Sequence, residues 1–193
     1  MIKTPQPWNK LILLLCCLLL AQPLNAEEQP VEKRCPRGWM RIPNPNGDAV
    51  TPGRHCAKAF TDRAVSMAEA KALCVENGGK LVEVNSPAEN DFVKTLKPAA
   101  TDDDDRIYWT GGNDLASHGV WVWASQSYRI YPYANWEEGS GPAAGVTDGK
   151  HCLALEPQMF KWRSEDCNEL GYFICERRKW RFDIQSLYTA ILG

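Results

Sequence analysis

Eight cysteines, Cys16, Cys17, Cys35, Cys56, Cys74, Cys152, Cys167 and Cys175, are the residues of this chain best placed to do chemistry. Their sulfur can bind a metal, attack a carbonyl or close a disulfide, and the compartment decides which. Lys3 and Lys10 stand in an opening segment without acids, residues 11–20 are unbroken apolar, and Ala26 offers a small residue for cleavage. This is the layout of a secretory signal over residues 1–26. An uncleaved anchor would need about 20 apolar residues, and Gln22 and Pro23 interrupt the run. Cys16 and Cys17 leave with the leader, so six cysteines enter an oxidising, extracellular compartment where disulfides persist. Counting alone leaves 15 pairings open.

Other reactive types give weaker signals. His55 and His151 each precede a cysteine, which suggests zinc, but those cysteines are committed to disulfides and no metal is expected. No nucleophile and base stand out as a pair among Ser, Cys and His, so catalysis is not expected and no cofactor is implied. The four acids from Asp102 to Asp105 read as a solvated loop in preference to a cation site. Without the leader, 167 residues remain with 20 basic and 24 acidic side chains, a net charge of −4. That length suits one domain, and the charge gives no basic face for nucleic acid. Asn85-Ser86 is followed by Pro87, so no asparagine glycosylation signal is present.

The elements that must position these residues are partly readable. Ser66 with Glu69 forms a capping box, Met67, Ala70, Leu73 and Cys74 recur at helical spacing, and Gly78-Gly79 supplies a stop. Ser86, Pro87 and Glu89 open a second helix with Phe92, Val93 and Leu96 on one face. Short apolar runs at 80–84, 107–110, 120–124, 151–155 and 172–175 read as strands. The interval from Trp136 to Cys152 lacks periodicity and is rich in glycine, and so reads as a long loop.

The landmarks fall in a recognisable order: Cys74 in a helix, Trp109-Thr110-Gly111-Gly112, Trp121-Val122-Trp123, Asn135-Trp136, Cys152, Lys161-Trp162, Cys167 and Phe173-Ile174-Cys175-Glu176. This frame resembles the C-type lectin-like domain over residues 35–176. The resemblance implies an α+β, disulfide-bonded fold with two helices packed on short antiparallel sheets and a long ligand-carrying loop. It also selects one pairing: Cys74 with Cys175, Cys152 with Cys167, and Cys35 with Cys56 as the N-terminal hairpin bridge of the long form. Cys35-Pro36-Arg37-Gly38-Trp39 matches the family's hairpin opening, while the insertion 41–55 makes this hairpin longer than the resemblance leads one to expect. Trp109, Trp121, Trp136 and Trp162 fall on landmark core positions and Trp123 does not. Packing is therefore expected of these tryptophans before sugar stacking. His118 stands where relatives carry glutamate and reads as a surface loop residue.

Sugar-binding members of that family hold calcium with a Glu-Pro-Asn or Gln-Pro-Asp triplet and a later Trp-Asn-Asp triplet. The resemblance aligns these with Gly141-Pro142-Ala143 and Trp162-Arg163-Ser164, so the oxygen ligands are replaced and Arg163 brings a positive charge. Calcium takes six to eight oxygens. Glu165 and Asp166 each lie two residues beyond a lost ligand, a displacement of roughly 7 Å at about 3.3 Å per residue. The expected function is a secreted recognition module for a protein or glycan, acting without the usual calcium site through Glu137, Glu138, Asp148, Lys150, Arg163, Ser164, Glu165 and Asp166. One alternative is a calcium-dependent lectin with a rearranged site. The other is a structural or surface-adsorbing matrix protein.

Beyond Cys175 the chain continues through a basic cluster into Trp180, Ile184, Leu187, Tyr188 and Ile191, which share one helical face. Residues 177–193 therefore read as a basic, amphipathic tail for self-association or contact with an anionic membrane surface, or as a segment that packs on its own domain. It is too short to span a bilayer.

Overall fold

The computed structural model describes residues 35–44, 54–99, 105–125, 127–144 and 149–178. The leader, the tip of the 41–55 insertion, Asp102, Asp103, Asp104, Asp148 and residues 179–193 lie outside the described residues. In chain order the elements are β1 (Met40–Arg41), β2 (His55–Val65), α1 (Met67–Glu76), β3 (Lys80–Leu81), α2 (Pro87–Lys94) and β4 (Tyr108–Asn113). They continue as β5 (Val122–Trp123), β6 (Tyr128–Arg129), a 3-10 turn (Gly141–Ala144), β7 (Cys152–Leu155), β8 (Trp162–Glu165) and β9 (Gly171–Arg178).

Both helices start at their expected caps. Ser66 Oγ accepts from the Glu69 N–H and Ser86 Oγ from the Glu89 N–H, satisfying amide groups that the first turn leaves unpaired. The glutamates do not both close the box in the usual way: Glu69 pairs with Arg63, and Glu89 accepts from the Asn85 N–H at 2.6 Å. At the other end of α1, Gly79 passes so close to β9 that a Cβ there would sit 2.3 Å from the Glu176 carbonyl oxygen.

The strand β2 has no counterpart in the sequence reading. Lys58, Thr61, Asp62 and Arg63 break its apolar run, and it is ordered by its partner. It pairs antiparallel with β9 from His55↔Arg178 to Phe60↔Phe173, then again at Val65↔Gly171 after an irregularity. The sheet path is β1-β2-β9-β4-β5-β6, with β3 on β9, β7 on β4 and β8 on β7. Among the described strand-to-strand ladders only β4–β9, Tyr108↔Tyr172 and Trp109↔Phe173, is parallel, and an isolated parallel bridge joins Trp136 to Trp162.

Strand alternation divides the core in two. From β7, Leu153 and Leu155 enter one cluster with Val82, Trp123, Trp162 and Ile174, while Cys152 and Ala154 enter another with Cys74, Trp109 and Phe173. A strand buried on both faces reads as a continuous apolar run, as Cys-Leu-Ala-Leu does. The two deepest tryptophans keep their polar edges satisfied: Trp109 Nε1 donates to the Val65 carbonyl and Trp162 Nε1 to Asn90 Oδ1, each at 2.9 Å.

Three disulfides join these parts. Cys35–Cys56 closes the N-terminal hairpin, Cys74–Cys175 ties α1 to β9, and Cys152–Cys167 ties β7 to the turn after β8. These are the pairs that the family resemblance implies. Their Cα separations of 5.7, 5.4 and 5.1 Å suit unforced bridges.

Candidate functional site

The site is built on the β7–β8 ladder and the start of the long loop. Ala154 faces Arg163 and Cys152 faces Glu165 across the ladder, so Arg163 and Glu165 project to one face while Trp162 and Ser164 turn inward. Trp136 forms a parallel bridge with Trp162, and the Glu137 N–H donates to the Trp162 carbonyl at 2.9 Å. This brings the Glu137 side chain beside Arg163. Arg163 Nε lies 3.1 Å from Glu137 Oε2 and 3.2 Å from Glu165 Oε1, and Lys150 Nζ lies 3.4 Å from Glu165 Oε2. The result is a line of alternating charge: Glu137, Arg163, Glu165, Lys150.

Four of the eight expected ligand residues therefore meet on one face. Ser164 does not join them; it is buried, and its Oγ accepts from the Gly141 N–H at 2.9 Å, fastening the 3-10 turn to β8. Asp166 also serves the backbone, with Oδ1 accepting from the N–H and side-chain amide of Asn168. Glu138 is exposed in the turn after Glu137, and Asp148 lies outside the described residues.

Trp109, Trp121, Trp123 and Trp162 are buried and Trp136 is half-buried. Trp136 meets Trp121 and Trp162 edge to face at 4.8 and 5.5 Å, and Trp123 meets Trp162 at 5.7 Å. These rings are the scaffold under the loop. His118 is exposed and stacks on His151 at 4.3 Å, while His151 Nδ1 lies 3.0 Å from Asp114 Oδ1. Burial, then the charges of Lys80, Arg178 and Arg54, lower the pKa of His55. Among the described residues, no three His, Cys, Asp or Glu side chains are gathered as a metal site would require.

One charged cluster has no sequence motif. Lys80 stands opposite Glu176 in the β3–β9 register and pairs with it at 3.0 Å, while also pairing with Glu83. Both carboxylates are almost fully buried. The two acids hold the Lys80 pKa up against burial, whereas burial pushes Glu176 up to about 7 despite Lys80. One cation shared by two carboxylates leaves the buried group neutral when Glu176 keeps its proton.

Residues 63–177 match the lectin C-type domain. The chain belongs to this family. Its curated relatives include the galactose-specific lectin nattectin of Thalassophryne nattereri, 28% identical over 74% of this chain and 80% of the relative. Lithostathine-1 of Mus musculus is 30% identical over 87% of this chain and 96% of the relative. Among solved structures, a calcium-independent type II antifreeze protein superposes with a TM-score of 0.60 at 21% identity, covering 76% of this chain and 96% of that one. That last likeness speaks for the fold alone. The C-type lectin-like relatives are recognition or binding proteins and not enzymes.

Proposed function

We propose that this protein is a secreted recognition module that binds a protein or glycan without the calcium ion used by sugar-binding members of its family. The observation that carries the reading is the position of Arg163, its guanidinium between the carboxylates of Glu137 and Glu165 at 3.1 and 3.2 Å. A cation of the chain's own thus neutralises the acids on that face, and Lys150 adds a second. Ser164, at the position of a family calcium ligand, is spent on the Gly141 backbone. The relatives support the ligand class: nattectin is named as galactose-specific, and a snaclec of Echis carinatus as binding coagulation factors IX and X.

Thermal unfolding with and without calcium tests this reading, because a ligand that binds only the native state raises the melting temperature. Millimolar calcium and excess chelator should both leave the midpoint unchanged. A glycan array run in parallel should give the same pattern with and without calcium. A rise of several degrees that Glu165→Ala or Asp166→Ala abolishes would replace this proposal with a calcium-dependent lectin of rearranged site. The leader at 1–26 and secretion belong to the same proposal, as does a binding or self-association role for residues 177–193.

A further inference from the structure

Residues in or flanking β5 and β6 form, with Trp136 and Pro142, a groove to which no residue of the ion-pair line contributes. Trp121, Arg129, Ile130, Tyr131, Trp136 and Pro142 line it, and its volume is about 260 Å³. That is slightly below the usual range of small-ligand clefts, roughly 300–1,000 Å³, and suits one ring better than an extended chain. Its walls are mixed, with apolar surface in excess of polar and three aromatic rings, Trp121, Tyr131 and Trp136, among them. Tyr131 is 85% exposed, so its ring is open to a ligand.

Two further features give the groove a chemistry. Arg129 is its one charged lining residue, is exposed, and forms no ion pair among the described residues. No acid lines the groove to neutralise it. Trp136 is already held in place: it is braced edge to face by Trp121 and Trp162, and Gly141 lies so close that a Cβ there would be 2.3 Å from Trp136 Cδ2. A wall fixed before binding spares the ligand the cost of ordering it.

We propose that this groove binds a single acidic sugar residue, with its C–H face on the Trp136 and Tyr131 side and its carboxylate or sulfate on Arg129. The negative π face of an aromatic ring attracts polarised C–H groups, and an unpaired guanidinium forms charge-assisted hydrogen bonds with either anion. A wholly apolar ligand would leave Arg129 unused, and a bare inorganic anion would leave the rings unused. The proposal rests on the reading of the chain as a recognition module, and adds the place and the charge of the ligand.

The test is amide and indole NMR on the full secreted chain in chelator, titrated with glucuronic acid, galactose-6-sulfate and neutral galactose. Either acidic sugar should move the Trp136 indole signal and the amides of Gly119, Ile130 and Tyr131, with galactose about fivefold weaker or worse. Arg129→Gln should abolish the preference for the acidic sugars, a loss of about fivefold or more for one charge-assisted contact at an exposed site. Tyr131→Ala should weaken acidic and neutral sugars alike. Both side chains are exposed, so unchanged spectra elsewhere will show that the variants fold.

Response to glucuronic acid but not to the sulfated sugar, or the reverse, would identify the anion and support the site. If acidic sugars move only Glu137, Arg163 and Glu165, this groove is not the sugar site, although calcium-independent recognition survives. If a sulfotyrosine peptide moves the groove and no sugar does, the sugar assignment is overturned. An Arg129→Gln variant that keeps the full preference overturns it as well. A requirement for calcium in the array overturns the earlier proposal and leaves this groove to be judged by its own titration.

Discussion

At the scale of single residues, the buried Lys80, Glu83 and Glu176 cluster makes a prediction with a definite sign. Burial raises Glu176 from 4.5 to about 7, so between those values the native state holds a proton that the unfolded chain has released. Stability must therefore fall as pH rises across that window, by about 3 kcal/mol at most for a shift of this size. Melting temperature measured from pH 4.5 to 7.5 should drop by several degrees for this reason. Glu176→Gln, which resembles the protonated acid, should flatten that part of the profile while keeping the stability found near pH 5. A variant whose profile matches the parent would show that Glu176 titrates normally. The Glu137–Arg163–Glu165–Lys150 line makes a different prediction for stability, because the exposed Glu137–Arg163 pair contributes roughly 0–1 kcal/mol and Lys150 still faces the largely buried Glu165 when Arg163 is removed. Arg163→Ala should barely move the melting temperature, and its effects should be read in ligand binding.

At the scale of elements, the bridges and the 3-10 turn are the parts whose removal should be felt. Cys74–Cys175 closes a separation of 101 residues and Cys152–Cys167 one of 15. The chain-entropy model assigns about 4.7 kcal/mol to a loop near the first length and about 3 to one near the second. Paired alanine substitutions compared by chemical denaturation should therefore rank the α1–β9 bridge as the more costly loss. Equal losses would mean that native packing, not loop length, governs their contribution. Gly141 makes a sharper local case. It has φ +68° and touches the Trp136 ring, so Gly141→Ala meets both a strained backbone and a steric clash. A cost of about 1–3 kcal/mol is expected, with a changed near-ultraviolet circular dichroism from Trp136. A melting curve like the parent's would show that the turn can shift away from β8 at no cost.

For the whole molecule, the closing of the sheet by β2 and β9 sets where the domain can be cut. The last bridge ends at Cys175 and β9 at Arg178. Truncation before Lys179 should leave the disulfide-bonded domain folded, with little change in denaturation midpoint. If residues 179–193 mediate self-association, the shortened chain should have a smaller mass by light scattering. If they meet an anionic membrane, binding to phosphatidylserine vesicles should fall on truncation and on raising salt, because such attraction is screened. Unchanged mass, no vesicle binding by either form and a lower melting temperature would instead make the tail part of the domain's own packing.

The features legible in the sequence were those set by local chemistry or by a fixed order of landmarks. Ser66 and Ser86 announce both helices because a cap works within four residues, and the cysteine and tryptophan frame, through its resemblance to the family, carries the fold and the set of bridges, whereas the division of the core in two appears only in the structure. The 11-residue β2 was missed because Lys58, Asp62 and Arg63 hide a strand that exists through pairing with β9. Arg163 could be read as a charge out of place, but its two partners come from the long loop and from its own strand. The side-chain periodicity of β8 placed Arg163 and Glu165 on one face, whereas only the Trp136–Trp162 bridge brought Glu137 to them. The Glu176 cluster and the Arg129 groove had no motif at all. By itself, then, the sequence determined the fold family and the helix starts, and through the family resemblance it set Gly141, Ala143, Arg163 and Ser164 against the positions where sugar-binding relatives hold calcium. Tertiary structure alone decided which charges are buried, which are paired and which lie free beside an aromatic wall, because those properties arise from residues far apart in the chain and close in space.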